Sequence, residues 1–256
     1  MLQKGDKTMR KLFVISFLLI GLLFARENGE INVAAAANLA YVMGDIQKEF
    51  LTTHPNDKIN ISYSSSGKAY AQITQGAPID LFISADREFP HKLYTQGKAP
   101  QKERVYAQGV LVLWSANPKI KITSLQTLTL PSITHIAIPN PALAPYGYAA
   151  KEALEKTGLG QKIHTKLINA TSISQAHQFV ATGSAEAGFG ALSLIDKQDK
   201  KISYIIIDKS LYSPIEQALI LTNHGKDKEL AKEFEAFILS PKAKKIFEKY
   251  GYIVNE

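Results

Sequence analysis

The chain has 256 residues, 45% of them apolar, with no cysteine and a formal charge of +7, a size that suits one domain or two of about 100 residues each. The absence of cysteine excludes disulfides and thiolate metal centres, and a lipid-modified N-terminal cysteine is not expected. Lys4, Lys7, Arg10 and Lys11, against Asp6 alone, lie in the first 25 residues, so the remainder carries only +4, which calls for no nucleic acid and mildly favours approach of a small anion.

Leu12–Phe24 is an unbroken run of apolar and small side chains behind Arg10 and Lys11. It is too short to span a bilayer and has the length of a signal-peptide core, so residues 1–25 are expected to be a signal peptide cut after Ala25. The mature chain is then an exported, periplasmic protein.

Extended and helical stretches alternate from there. A strand over Ile31–Ala36 ends in Ala37-Asn38, and Leu39, Met43, Ile46 and Phe50 follow on one helical face with Asn38 as the expected N-cap. A second strand, Lys58–Tyr63, passes through Ser64-Ser65-Ser66-Gly67-Lys68 into a helix over Ala69–Gln75. Hydroxyls and unpaired N–H groups at a helix start are how a protein holds an anion. Further strands are expected at Ile79–Ser84, Val105–Trp114, His135–Ile138, Thr165–Ile168, Ala187–Phe189, Ile202–Ile207 and Ala218–Leu221. Asp86 reads as the cap of a helix holding Phe89 and Leu93, and Asp80 as a strand-edge residue after Pro78. Tyr148–Leu154 is amphipathic with Gly158 as its stop, Thr171-Ser172-Ile173 reads as another helix start, and Pro145-Tyr146-Gly147 alone reads as a turn. Leu230, Phe234, Phe237 and Ile238 form a helical face, Ser240-Pro241 opens a last helix, and Gly251 ends it.

Such alternation argues an α/β protein with mostly parallel sheets, in which ligands bind where strands give way to helices at their carboxyl ends. Val105–Ser115 and Ile215–Asn223 are long enough to carry the chain from one lobe to another and back. That makes the first lobe discontinuous, 26–108 with 219–256, around a second lobe over 109–218.

Several segments together resemble the periplasmic molybdate-binding proteins of ABC importers, the ModA family. They are Ala34–Leu39, Ser64–Lys68 with Ala71-Gln72-Ile73, Gly76–Asp86, Ala144–Gly147 and Phe247–Tyr252, in the family's order from about Ile31 to the C-terminus. The resemblance implies a type II periplasmic binding fold, two α/β lobes joined by two crossing strands, closing on one tetrahedral oxyanion in the cleft. It implies ligand groups at Ala37 and Asn38, Ser66, Tyr146 and Ile173. Whether Tyr146 serves through its N–H or its hydroxyl is left open. A tyrosine that many members supply falls here on Ala191. The resemblance implies molybdate or tungstate as ligand, with no cofactor, no catalytic residue and no metal held directly by side chains. The partners are the membrane subunits of an ABC importer, and the chain is expected to be a monomer.

The chemistry of that set is coherent by itself, because a fully deprotonated oxyanion needs donors and no facing carboxylate. A binder of sulfate or another tetrahedral oxyanion is the alternative within the class. A rival from another class is an exported serine acyl-transferase of the penicillin-binding type. Ser65-x-x-Lys68, Ser115-Ala116-Asn117 and Lys156-Thr157-Gly158 stand in its order, although the last follows a helical run where a strand is required.

Overall fold

A computed structural model of the chain describes residues 29–254; the expected signal segment, 1–25, lies outside them. The described residues form two five-stranded sheets. The first holds, in spatial order, β2 (Lys58–Ser64), β1 (Glu30–Ala36), β3 (Leu81–Ile83), β10 (Ile215–Leu221) and β4 (Arg104–Gly109). The second holds β7 (Leu167–Ala170), β6 (Ile136–Pro139), β8 (Ala187–Ala191), β5 (Leu111–Ser115) and β9 (Ser203–Ile206). Eight helices accompany them among the described residues: α1 (Val42–Leu51), α2 (Ser66–Thr74), α3 (Glu88–Thr95), α4 (Pro145–Lys156), the short α5 (Gly160–Ile163), α6 (Ile173–Ala181), α7 (Glu229–Ile238) and α8 (Pro241–Lys249).

The expectation of mostly parallel sheets is corrected. β1 is parallel to β2 and β3, and β6 to β7 and β8, but β10 runs against both its neighbours and so does β5. These are the first strands laid down after each passage between sheets, and each enters from the opposite lobe. The outward passage is short, since the expected single stretch Val105–Ser115 divides at Val110 into β4 and β5. On the return, Gly109 and Ile215–Ala218, assigned above to the second lobe, pair with each other's strands in the first sheet.

β1 shows why the first sheet is covered on both sides. Ile31, Val33 and Ala35 pack with Val42, Met43, Ile46 and Phe50 of α1 and with Leu230, Phe234 and Ile238 of α7. Ala34 faces the other way, with Ala69 and Ile73 of α2, Leu93 of α3, Phe82 and Ile220. A strand buried on both faces needs a nearly continuous apolar run, which this one has. The expected last helix holds, with Pro241 in its first turn, the Ser240 hydroxyl accepting from the Ala243 N–H at 3.3 Å, and Gly251 beyond its end at φ +85°. Past it, Ile253 bridges antiparallel to Gln108 and carries Tyr252 into the core.

Asp80 does more than end a loop. Completely buried just before β3, it accepts from the Asn32 N–H at 2.8 Å, Lys228 Nζ at 2.9 Å and His224 Nδ1 at 2.6 Å, fastening β1 and the approach to α7 to one carboxylate. Burial pushes its pKa up, but the Asn32 N–H, Lys228 and His224 outweigh burial and hold it below the ordinary 3.8. Its stabilisation is therefore full above that value and is lost as pH falls through the lower folded one. Asp80→Asn is expected to lower unfolding free energy by about 2 kcal/mol at neutral pH. In urea titrations the gap from the parent should narrow as pH drops below 4.

Candidate binding site

Register brings the helix starts together. Ala36 of β1 lies beside Ser64 of β2, so Ala37-Asn38 and Ser65-Ser66 leave adjacent parallel strands at one level. In the second sheet Pro139 of β6 lies beside Ala170 of β7, and their chains run on into α4 and α6. Four hydrogen bonds then close one lobe on the other. The Gly67 N–H donates to the Leu143 carbonyl at 2.9 Å, Ser174 Oγ to the Ala37 carbonyl at 2.8 Å, Ser193 Oγ to the Asn38 carbonyl at 2.9 Å, and Gln217 Nε2 to the Tyr146 hydroxyl at 3.0 Å. Gly67 suits this approach, because a Cβ there would stand 3.1 Å from the Cα and carbonyl oxygen of Leu143, which would have to give way by a few tenths of an ångström.

All five residues named from the sequence are buried along this seam. Ser66 opens α2, and its Oγ accepts the Ala85 N–H at 3.0 Å, which leaves its own proton free to donate. Tyr146 and Ile173 lie in the first turns of α4 and α6, where an N–H has no acceptor within its helix. Pro145-Tyr146-Gly147, a turn when read alone, is thus the opening of a twelve-residue helix. The helix start expected at Thr171-Ser172-Ile173 is present, with Ser172 capping α6 by accepting from the Gln175 N–H at 3.2 Å.

Asn38 is not the N-cap of the following helix. It sits within a 3-10 turn, Ala37–Leu39, and α1 begins only at Val42. Its amide is drawn inward instead, Nδ2 donating to Gln217 Oε1 at 2.9 Å and to the Tyr252 hydroxyl at 2.8 Å, while Oδ1 is buried with no partner. The Tyr146 hydroxyl accepts from Gln217 Nε2 and keeps its own proton, while its N–H lies in the first turn of α4.

Gln217, Tyr252, Tyr106, Ser174 and Ser193 were not singled out from the sequence. The signal for Gln217 was there, an uncharged polar side chain within the strand Ile215–Leu221, because such a group in a buried strand demands partners. Burial drives the phenols of Tyr106, Tyr146 and Tyr252 well above their ordinary range, so all three keep a proton to donate.

The acyl-transferase signatures stay separate. Ser65 Oγ is buried without a partner and Lys68 is exposed; Ser115 Oγ donates to the Glu186 carbonyl and Lys156 Nζ to that of Ser210. Among the described residues no group of three or more His, Asp or Glu is placed to hold a metal ion.

Two covered lobes whose helix starts face one another across a seam are the build of an extracellular solute-binding protein. The model of the family of bacterial extracellular solute-binding proteins matches residues 31–253, and the chain belongs to that family. Within it the chain is a member of the ModA family. It is 39% identical over 231 residues, 89% of this chain and 91% of the relative, to the molybdate-binding protein ModA of Azotobacter vinelandii. It is 37% identical over 239 residues, 93% and 94% of the two chains, to that of Rhodobacter capsulatus. The solved periplasmic molybdate-binding protein of Azotobacter vinelandii superposes with a TM-score of 0.83 at 35% identity, covering 88% of this chain and all of that one. The expected two-lobe type II fold is borne out.

Asp86 is the carboxylate nearest the seam in sequence, and its role is structural. Oδ1 accepts from the Phe89 N–H at 3.0 Å, the expected cap of α3, and from Ser84 Oγ at 3.2 Å. It lines an open cavity of about 400 Å³ between the lobes, with Phe89, Pro141 and Tyr148. Burial pushes its pKa up to about 6, against the pull of the Phe89 N–H and Ser84. An acid raised in the folded state stabilises fully below its unfolded value of 3.8, and that contribution is lost as pH rises through about 6. Asp86→Asn retains an oxygen for the cap, so thermal melts should show it gaining stability over the parent above pH 6 and losing that gain below pH 4.

Proposed function

We propose that the chain is an exported, monomeric binding protein that captures molybdate or tungstate and delivers it to the membrane subunits of an ABC importer, without catalysing a reaction. The observation that carries the reading is the meeting, in a ModA-family chain, of four chain segments at whose starts the N–H groups have no acceptor within their own helix or turn: Ala37-Asn38, Ser66, Tyr146 and Ile173. Such groups favour a negative charge at their common focus, and closely spaced ones replace the water shell of a dianion. The molybdate-binding relatives from Azotobacter vinelandii and Rhodobacter capsulatus, which cover nearly the whole chain, support the choice of oxyanion.

Ser66 supplies a hydroxyl proton from the first lobe, and Tyr146 and Ile173 supply backbone N–H groups from the second. Ala37 and Asn38 complete the cage from the turn after β1. The two carboxylates close in sequence are held by other donors, Asp80 by Lys228 and His224 and Asp86 by the first turn of α3, which suits a ligand without a proton to give. Opening and closing is a hinge motion about Val110 and the segment Tyr212–Pro214.

Calorimetry with molybdate, tungstate, sulfate and phosphate tests the reading, the first two being expected to bind tightly and the last two weakly. Ser66→Ala should weaken molybdate by about 1–3 kcal/mol. Small-angle scattering should show the chain compacting when molybdate is added. Equal affinity in Ser66→Ala would remove that hydroxyl from the site, and tight sulfate with no molybdate binding would replace the ligand.

A further inference from the structure

Gln217 stands, fully buried, where the pairing of β10 with β4 slips by one residue. Its Oε1 accepts from Asn38 Nδ2 and from the Tyr106 hydroxyl, both at 2.9 Å and both in the first lobe. Its Nε2 donates across the seam to the Tyr146 hydroxyl at 3.0 Å. The space for this meeting exists because residue 109 is glycine: a Cβ there would stand 2.1 Å from the Tyr146 oxygen and 2.6 Å from Gln217 Nε2.

With Asn38 Nδ2 toward Gln217 and Tyr252, both of its protons are used and the leftover edge of that amide is an acceptor, Oδ1. An acceptor is the wrong group to meet a fully deprotonated anion. Oxygen and nitrogen of an amide are nearly equal in shape, so exchanging them in Asn38 and Gln217 together keeps their contacts with each other, Tyr106 and Tyr146; only the Tyr252 bond to the Asn38 carbonyl is given up, and that carbonyl keeps Ser193 Oγ. Gln217 Nε2 then donates to Asn38 Oδ1 and to Tyr106, whose own proton goes to the Ser84 carbonyl 3.1 Å away. Tyr146 donates to Gln217 Oε1, and Tyr252 donates to Asn38 Oδ1. Asn38 is left with an NH₂ edge in place of a bare oxygen. Exchange of one amide alone sets donor against donor or acceptor against acceptor, so the two are locked in step.

We propose that Gln217 is a positioning residue: closing of the lobes brings the Tyr146 hydroxyl onto it, and the Gln217 and Asn38 amides, locked in step, then hold the NH₂ edge of Asn38 toward the oxyanion. This rests on the ligand reading given above. It makes Gln217 a link between closure and recognition, although it does not touch the ligand.

The test uses the full mature chain with sodium molybdate. Gln217→Met and Tyr146→Phe are each expected to weaken molybdate about tenfold, and the double variant to be no weaker than Gln217→Met, because both remove one link. In ¹⁵N spectra of the parent, the side-chain NH₂ signals of Asn38 and Gln217, assigned by their loss from Asn38→Ser and Gln217→Met, should shift together as molybdate is added. In Tyr146→Phe the Gln217 signal should stay in place. A merely structural Gln217 would lower the melting temperature of the ligand-free chain without moving these signals. The proposal is overturned if Gln217→Met stays within about twofold of the parent, or if the parent binds molybdate while its Gln217 signal is unmoved. Should Gln217→Met fail to fold, Tyr146→Phe, one oxygen smaller, decides by the same affinity criterion. A parent that binds no molybdate overturns the ligand reading itself, and this proposal with it.

Discussion

The N–H groups of a helix's first turn have no acceptor within the helix, and when that turn is buried something else must satisfy them. In this protein the constraint is imposed in pairs. Parallel neighbours in register, Ala36 with Ser64 and Pro139 with Ala170, deliver two such starts at one level in each lobe, and closure sets the pairs against each other. Small residues make this possible. Gly67 lets the backbone of α2 meet that of Leu143.

Charge is arranged around the seam with the same economy. A proton-free dianion requires donors and is repelled by carboxylates, so acids close to it in sequence have to be engaged elsewhere. Asp80 is buried against Lys228 and His224 on the far side of β3, and Asp86 is turned onto the first turn of α3. The phenols of Tyr106, Tyr146 and Tyr252 remain neutral donors through burial. The result is a donor-rich seam within a chain of mild positive charge, with Asp86 at the edge of the cavity between the lobes.

The lobes meet through polar contacts as well as through an apolar core that runs through both. The bonds Ser174 to Ala37, Ser193 to Asn38, Gly67 to Leu143 and Gln217 to Tyr146 can each be exchanged for water when the cleft opens. Each is therefore worth little net free energy, on the order of 1 kcal/mol, and a seam built from them suits a protein that must release what it holds. Tyr252 joins this layer from the chain's end, pinned by the bridge of Ile253 to Gln108, so the C-terminal segment takes part in the site's packing.

Much of this was legible in the sequence. Apolar runs located the strands; Ser172, Asp86, Ser240 and Gly251 marked helix ends, because those signals depend on neighbours a few residues away. The set Ala37, Asn38, Ser66, Tyr146 and Ile173 could be named because the motifs carrying it are short and stand in a family's order. What lay beyond reach was long-range. The antiparallel entry of β5 and β10 follows from which sheet a strand joins, which is settled by packing between segments a hundred residues apart. The inward turn of the Asn38 amide, the burial of Asp80 against Lys228 and the meeting of Gln217 with Tyr146 are tertiary for the same reason. Local sequence determines where a helix starts and what it can donate; only the folded chain decides what stands opposite, since that depends on contacts between residues distant in sequence.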